Sequence, residues 1–210
     1  MTVTIVLAFL LWATVAQGAE ILAARADCAS LDAAEFFFPQ RVLGERLPQF
    51  DEDAFTREWY SKHLRAMAEP SLSCGQSSGE SYRFLWLRTW GRPIAVRIET
   101  GPSNTLTAVE LDGAGGYEPG KVSRRVQRPL NGDEWKTLSH ALKTTGFWKM
   151  PGRLPNHGFD GARWILRSER DYHVVDRWSP ATGAYREFCL MLVKLAGLMP
   201  SGKSRRDTVY

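Results

Sequence analysis

This 210-residue chain is poor in the residue types that build reaction centres: it has three cysteines and four histidines, and they are scattered. A metal site gathers His, Cys and carboxylate side chains at close spacing. The nearest approach is His157 with Asp160, three residues on, and then His173. That matches no ligand pattern, so no metal is expected. Nucleophilic catalysis needs Ser or Cys beside a base and an oxyanion hole. There is no Gly-x-Ser-x-Gly elbow, and Cys74-Gly75 has only histidines distant in sequence. The Gly113 to Gly116 run lacks the Lys-Ser/Thr ending of a phosphate loop, and a strand pattern follows it. No cofactor is expected. Repeats at a solenoid period are also missing, as is a linker that would divide two domains.

Charge is absent from Met1 to Ala19, and Val3 to Ala16 are almost wholly apolar. The run is short for a membrane span, which needs about 20 apolar residues. It reads as the apolar region of an export signal. Ala16 and Gly18 are small residues at spacing two, so residues 1–18 read as a signal peptide cleaved after Gly18. Cleavage after Ala16 is the second choice. The segment has no Lys or Arg. The alternatives are an uncleaved anchor, lengthened by Leu22, Ala23 and Ala24, and a buried apolar arm. Arg25-Ala26-Asp27 before Cys28 is unlike a lipoprotein signal. The expected location is the periplasm or outside the cell, with attachment to a membrane through residues 1–19 as the alternative.

In an oxidising compartment an odd number of cysteines leaves one unpaired. Cys189 lies in an apolar helical run, where a free thiol fills space. Cys28 and Cys74 lie in polar, loop-like stretches, so a Cys28–Cys74 disulfide is expected. Three free thiols are the alternative if the domain faces the cytoplasm.

Residues 19–50 read as an irregular lead-in, and residues 51–199 as one α+β domain. The domain is large enough for a single core, and eight Trp and ten Phe argue against disorder. Asp51 to Ala68 read as a helix with acidic residues at its start, where the helix dipole favours them. Phe55, Trp59, His63 and Met67 mark its expected buried face, with His63 as a packed boundary residue. Period-two alternation then gives strands over 82–87, 94–99, 105–111 and 122–128, joined by Gly and Pro turns. Asp133 is the expected cap of a helix running through Lys143. A hairpin over 162–167 and 172–178 and a helix over 184–198 follow. The order of helix, four strands, helix, hairpin, helix implies an antiparallel sheet of about six strands. Residues 200–210 read as a flexible basic tail.

One stretch is rich in specific residues. It runs Phe147-Trp148-Lys149-Met150-Pro151, then Gly158-Phe159-Asp160-Gly161-Ala162-Arg163-Trp164-Ile165-Leu166, then Tyr172 through Asp176-Arg177-Trp178-Ser179-Pro180. This cassette resembles one found in a family of uncharacterised bacterial proteins, many of them exported or membrane-anchored. The resemblance covers about residues 135 to 198, and Asp-Gly-x-x-Trp and Arg-Trp-Ser-Pro are its most specific parts. It implies a fold and no activity. Relatives often carry glutamate after the Trp-x-Leu piece, where this chain has Arg167.

Read from the residues, Asp160-Gly161 suits a tight turn with Gly at positive φ. Trp164, Leu166, Val174 and Trp178 suit the inner face of the hairpin. The functional alternative gathers Asp160, Asp176, Arg177 and Trp178 into a polar cluster. Asp176 shares the parity of Val174 and Trp178, so it needs a buried partner. Arg163, a loop donor or a backbone amide is expected, and Arg177 points to the opposite face.

The formal charge is +4. Lys121, Arg124, Arg125 and Arg128 form the best candidate binding surface, on an expected edge strand, and Arg83, Arg88, Arg92 and Arg97 on neighbouring strands are candidates to extend it. Charge on an edge also discourages strand pairing, which is the structural alternative. The expected function is an exported, non-enzymatic domain that binds a protein or an anionic envelope component. Nucleic acid is not an expected partner. The rivals are an envelope hydrolase using Asp160 or Asp176 and a membrane-anchored assembly factor.

Overall fold

The computed structural model describes residues 37–43, 46–47, 49–73, 79–154, 158, 160–168, 172–203 and 209. The expected leader and the Cys28–Cys74 pairing lie outside these residues. A short hairpin, β1 (Arg46–Leu47) and β2 (Phe50–Asp51), leads into α1 (Glu52–Ala66). Then come β3 (Ser81–Arg88), β4 (Ile94–Glu99), β5 (Thr105–Leu111) and β6 (Val122–Pro129). α2 (Gly132–Thr145) and a 3-10 turn (Phe147–Lys149) precede β7 (Ala162–Ser168), β8 (His173–Trp178) and α3 (Ala184–Leu195). Strands β3 to β8 form one antiparallel sheet in the order β6-β5-β4-β3-β7-β8. The chain is therefore α+β with an antiparallel sheet.

Local chemistry fixes the helix ends. The Asp51 carboxylate accepts the Ala54 N–H at 2.9 Å and caps α1. α2 is capped by Asn131 and not by Asp133. Asn131 Oδ1 accepts the Glu134 N–H, and the Glu134 carboxylate accepts the Asn131 N–H, a reciprocal capping box. Gly146, at φ 65, ends α2 in the left-handed conformation that favours glycine.

Both faces of the sheet are covered. On one face Trp86 and Trp164 pack with ring centres 4.9 Å apart, tilted at 51°, with Phe84 beside them, beneath Leu138 and Leu142 of α2 and Phe188, Leu192 and Val193 of α3. Cys189 is a buried free thiol here, as its apolar setting implied. Burying a large apolar side chain contributes about 1.5–3 kcal/mol. On the other face Leu85, Leu87, Ala95, Val109 and Ile165 meet Tyr60, Leu64 and Met67, together with Phe37, Phe38 and Leu43. Asp53 docks residues 41–43 by accepting the Arg41 and Leu43 N–H groups at 2.8 Å each. From the far end of the chain, Val209 packs against the first core.

Two expected faces need correction. Phe55 is 58% exposed, and the buried side of α1 is made by Tyr60 and Leu64, with Met67 at its C-cap buried as expected. Residues four apart advance 400° around a helix, so the row from Phe55 to Met67 drifts about 40° per step and leaves the core at one end. His63 is buried, as expected. In the β7–β8 hairpin Trp164 pairs with Arg177 and Leu166 with Val175. Trp164 and Leu166 therefore face α2 and α3, whereas Val174 and Trp178 lie on the α1 side. A register shifted by one residue flips a whole strand.

Candidate functional site

The basic stretch sits at the edge of the sheet as expected, with Arg124, Arg125 and Arg128 on β6 and Lys121 just before it. Its arginines are largely occupied. Arg125 donates to the carbonyl of Met67, the residue capping α1, at 2.6 Å. Arg124 donates to the Gly197 carbonyl at 2.8 Å, just past α3. Arg128 grips both carboxylate oxygens of Glu134 at 2.8 and 2.9 Å and approaches the Leu195 carbonyl at 3.3 Å. Carbonyls at a helix C-terminus lack intrahelical partners and carry partial negative charge. The three guanidinium groups thus tie β6 to two helix ends and to the capping box of α2. Hydrogen bonding from Arg128, followed by the Asn131 N–H, holds the Glu134 carboxyl below its ordinary range. The Lys121 ammonium is exposed and makes no hydrogen bond or ion pair among the described residues.

With its side chains drawn to the helices, the main chain of β6 is hydrogen-bonded on one side only among the described residues, by β5. The opposite edge is closed. Against β8, the Asp176 N–H donates to the Gly152 carbonyl at 2.7 Å, and Arg153 forms a parallel bridge to Asp176. Arg177 donates to the Pro151 carbonyl at 2.7 Å and so ties down the same loop.

The cassette does not converge on one cluster. Asp160 accepts the Trp90 indole N–H at 2.9 Å at the surface. Gly161 is not at positive φ; a Cβ there would meet the Trp178 ring and the Ser179 hydroxyl at 2.5 Å. Close approach of Trp178 is thus what requires glycine. Asp176 is fully buried on the α1 side. The Tyr60 hydroxyl donates to it at 2.9 Å, with Arg163 at 3.6 Å and Arg153 at 3.7 Å. Burial raises its pKa, and Arg163, Tyr60 and Arg153 only partly offset that. Arg163 was among the partners expected for it. Arg177 lies on the other face and does not join it, and Trp178 carries the Arg163 guanidinium 5.2 Å from its ring centre.

Arg83, Arg88 and Arg97 do not extend the basic surface of β6, because all three are buried. Arg97, Arg83 and Arg167 are direct cross-strand neighbours on β4, β3 and β7, all buried beneath the α1 layer. Glu69 lies 3.0 Å from Arg97 and 3.6 Å from Arg83. Arg83 donates to the Pro70 carbonyl at 2.7 Å, and Arg167 binds the Phe37 carbonyl and the Ser73 hydroxyl. Burial pushes the Arg83 guanidinium down to about 10, against the pull of Glu69. These groups hold segments 37–43 and 69–73 onto the sheet. Alternation placed each arginine on the strand face opposite the aromatic residues, and it could not tell that this face is also covered.

A groove of about 660 Å³ opens between the end of α2, the 3-10 turn and the start of β3. Its aromatic lining is Tyr82, Trp135, Phe147 and Trp148, and its charged lining is Lys143, Lys149 and Glu80. Gly146 makes the turn that presents Trp148, which is 43% exposed. Phe147 and His173 brace the Trp148 ring at 5.1 and 5.8 Å.

Among the described residues no group of three or more His, Cys, Asp or Glu side chains could hold a metal, and no helix is long and apolar enough to cross a membrane. No protein-family model matches the chain, and no curated protein sequence matches it.

Proposed function

We propose that this chain is an exported, non-enzymatic binding module that takes up an extended acidic segment of a partner protein along β6. The observation that carries this reading is the asymmetry of the sheet edges. β8 is closed by the 151–153 loop, whereas β6 is exposed over most of its eight residues. The bare N–H and C=O groups of an edge strand are a template for one more strand. In strand addition the main chain supplies affinity and alternate side chains supply specificity. Pairing β6 with a second copy in antiparallel fashion would set Arg124, Arg125 and Arg128 near their own equivalents, and like charges across a ladder are unfavourable. Acidic side chains suit the same positions.

The test is calorimetric titration with two eight-residue peptides, one alternating Glu with Val and one alternating Lys with Val. The acidic peptide should bind and weaken with added salt. Lys121→Glu reverses the charge just before β6 and Gln127→Glu adds a negative one on it, leaving the three arginine ties in place. That variant should bind the acidic peptide about tenfold more weakly. Equal binding of the two peptides, or no response to the charge reversal, rules the edge out.

A further inference from the structure

The groove beside Trp148 lies on different elements from β6 and carries a separate inference. We infer that it is a binding site for an anionic sugar, a pyranose ring bearing a carboxylate. Four observations lead there. Trp148 is 43% exposed and is held by ring contacts with Phe147, His173 and Tyr82, so its indole is positioned before any ligand arrives. Its indole N–H has no hydrogen-bond partner among the described residues. Lys143 and Lys149, both exposed, have no ion-pair partner among those residues either. Finally, the volume of about 660 Å³ suits one or two sugar rings and not a folded element.

The chemistry discriminates between ligands. A purely apolar ligand is best served by an enclosed cavity that removes most of its surface from water. Here the floor is aromatic and the rim is wet, with Lys143, Gly146, Trp148 and Lys149 all exposed. A saturated ring can lay its C–H face on the indole and leave its hydroxyls in water. The two ammonium groups outnumber the one lining carboxylate, Glu80, and so favour a ligand carrying negative charge. A nucleic-acid strand would call for a stripe of cations following its backbone, and the described cations of this groove are two.

The probe is trigalacturonate, with its methyl ester as the neutral counterpart and inorganic phosphate as a bare anion. Binding is read on the full chain by tryptophan fluorescence and by titration calorimetry. Trigalacturonate should bind saturably and perturb the fluorescence, while the ester binds about tenfold more weakly. Lys143→Gln with Lys149→Gln changes only exposed positions and should remove the preference for the acid over the ester. Trp148→Ala should weaken both sugars about tenfold, since stacking on an aromatic face is lost with the ring. Its thermal melting is followed in parallel. Trp148→Phe keeps a stacking face and should recover part of the affinity. Binding that ignores Trp148, equal affinity for acid and ester, phosphate competing as well as the sugar, or no saturable signal at millimolar trigalacturonate would each overturn the assignment.

Discussion

Two buried carboxylates on the α1 side respond to pH with opposite signs. Desolvation works to raise the Asp53 pKa, but the N–H groups of Leu43 and Arg41, with Arg57, hold it below its ordinary value. A group depressed in the folded state adds stability above its unfolded pKa, and that stability is lost as pH falls through the folded value. Asp176 is the reverse. Burial raises it, so its favourable contribution is complete below the unfolded carboxyl value of about 3.9 and is lost as pH rises through the folded value. Asp53→Asn should therefore cost about 2 kcal/mol at neutral pH, the scale of hydrogen bonds to a charged acceptor, and the deficit should shrink on acidification. Asp176→Asn removes a poorly compensated charge while keeping an acceptor for Tyr60. It should melt at or above the wild-type temperature at neutral pH and lose that advantage as pH falls. Thermal melts across the acid range decide both, and a large neutral-pH loss in Asp176→Asn would show that Arg163 and Arg153 compensate the charge more fully than the 3.6 and 3.7 Å separations suggest.

The elements were legible where their signals were local. Alternation placed β3 to β6 and the last hairpin within a residue or two, because turn residues and period two act over short stretches. Helix ends were less legible, since several polar residues cluster at each and only geometry selects the cap. Asn131, not Asp133, completes the box with Glu134. Asn131→Ala should destabilise the fold by about 1 kcal/mol, whereas Asp133→Ala, at an exposed position outside the capping box, should cost much less. Denaturant melts of the pair test this, and equal losses would refute the assignment. The candidate site was legible only in part. The edge position of Lys121 to Arg128 follows from strand order and charge. The destinations of Arg124, Arg125 and Arg128 do not, because Met67, Leu195 and Gly197 are 58, 67 and 73 residues away in sequence. The same limit hid the buried row of Arg97, Arg83 and Arg167, which alternation alone assigns to water.

At the scale of the molecule, the two layers on the sheet are unlike in kind. The α2–α3 side is aromatic and aliphatic, with Trp86, Trp164, Phe84 and Phe188 at its centre. The α1 side mixes Leu, Phe and Tyr side chains with Arg57, Arg83, Arg97, Arg163 and Arg167. On that side Arg57 Nη1, Arg83 Nη2, Thr107 Oγ1 and Asp176 Oδ1 are buried without a hydrogen bond among the described residues. A buried polar atom left unbonded costs about 1–3 kcal/mol, and water recovers that cost when the layer opens. The α2–α3 side holds fewer such atoms among the described residues, Trp86 Nε1, Ser168 Oγ and Arg186 Nη1, and apolar burial opposes opening equally on both sides per unit area, so the larger polar deficit decides which layer parts first. Native-state hydrogen exchange should accordingly find the α1 amides opening on the order of 2 kcal/mol below the global unfolding free energy. The amides of β3, β7 and α3 should exchange only through global unfolding. If α1 and α3 share one opening free energy, the arginine-rich layer is as well compensated as the aromatic one, and the sheet unfolds with α1, α2 and α3 as a single unit.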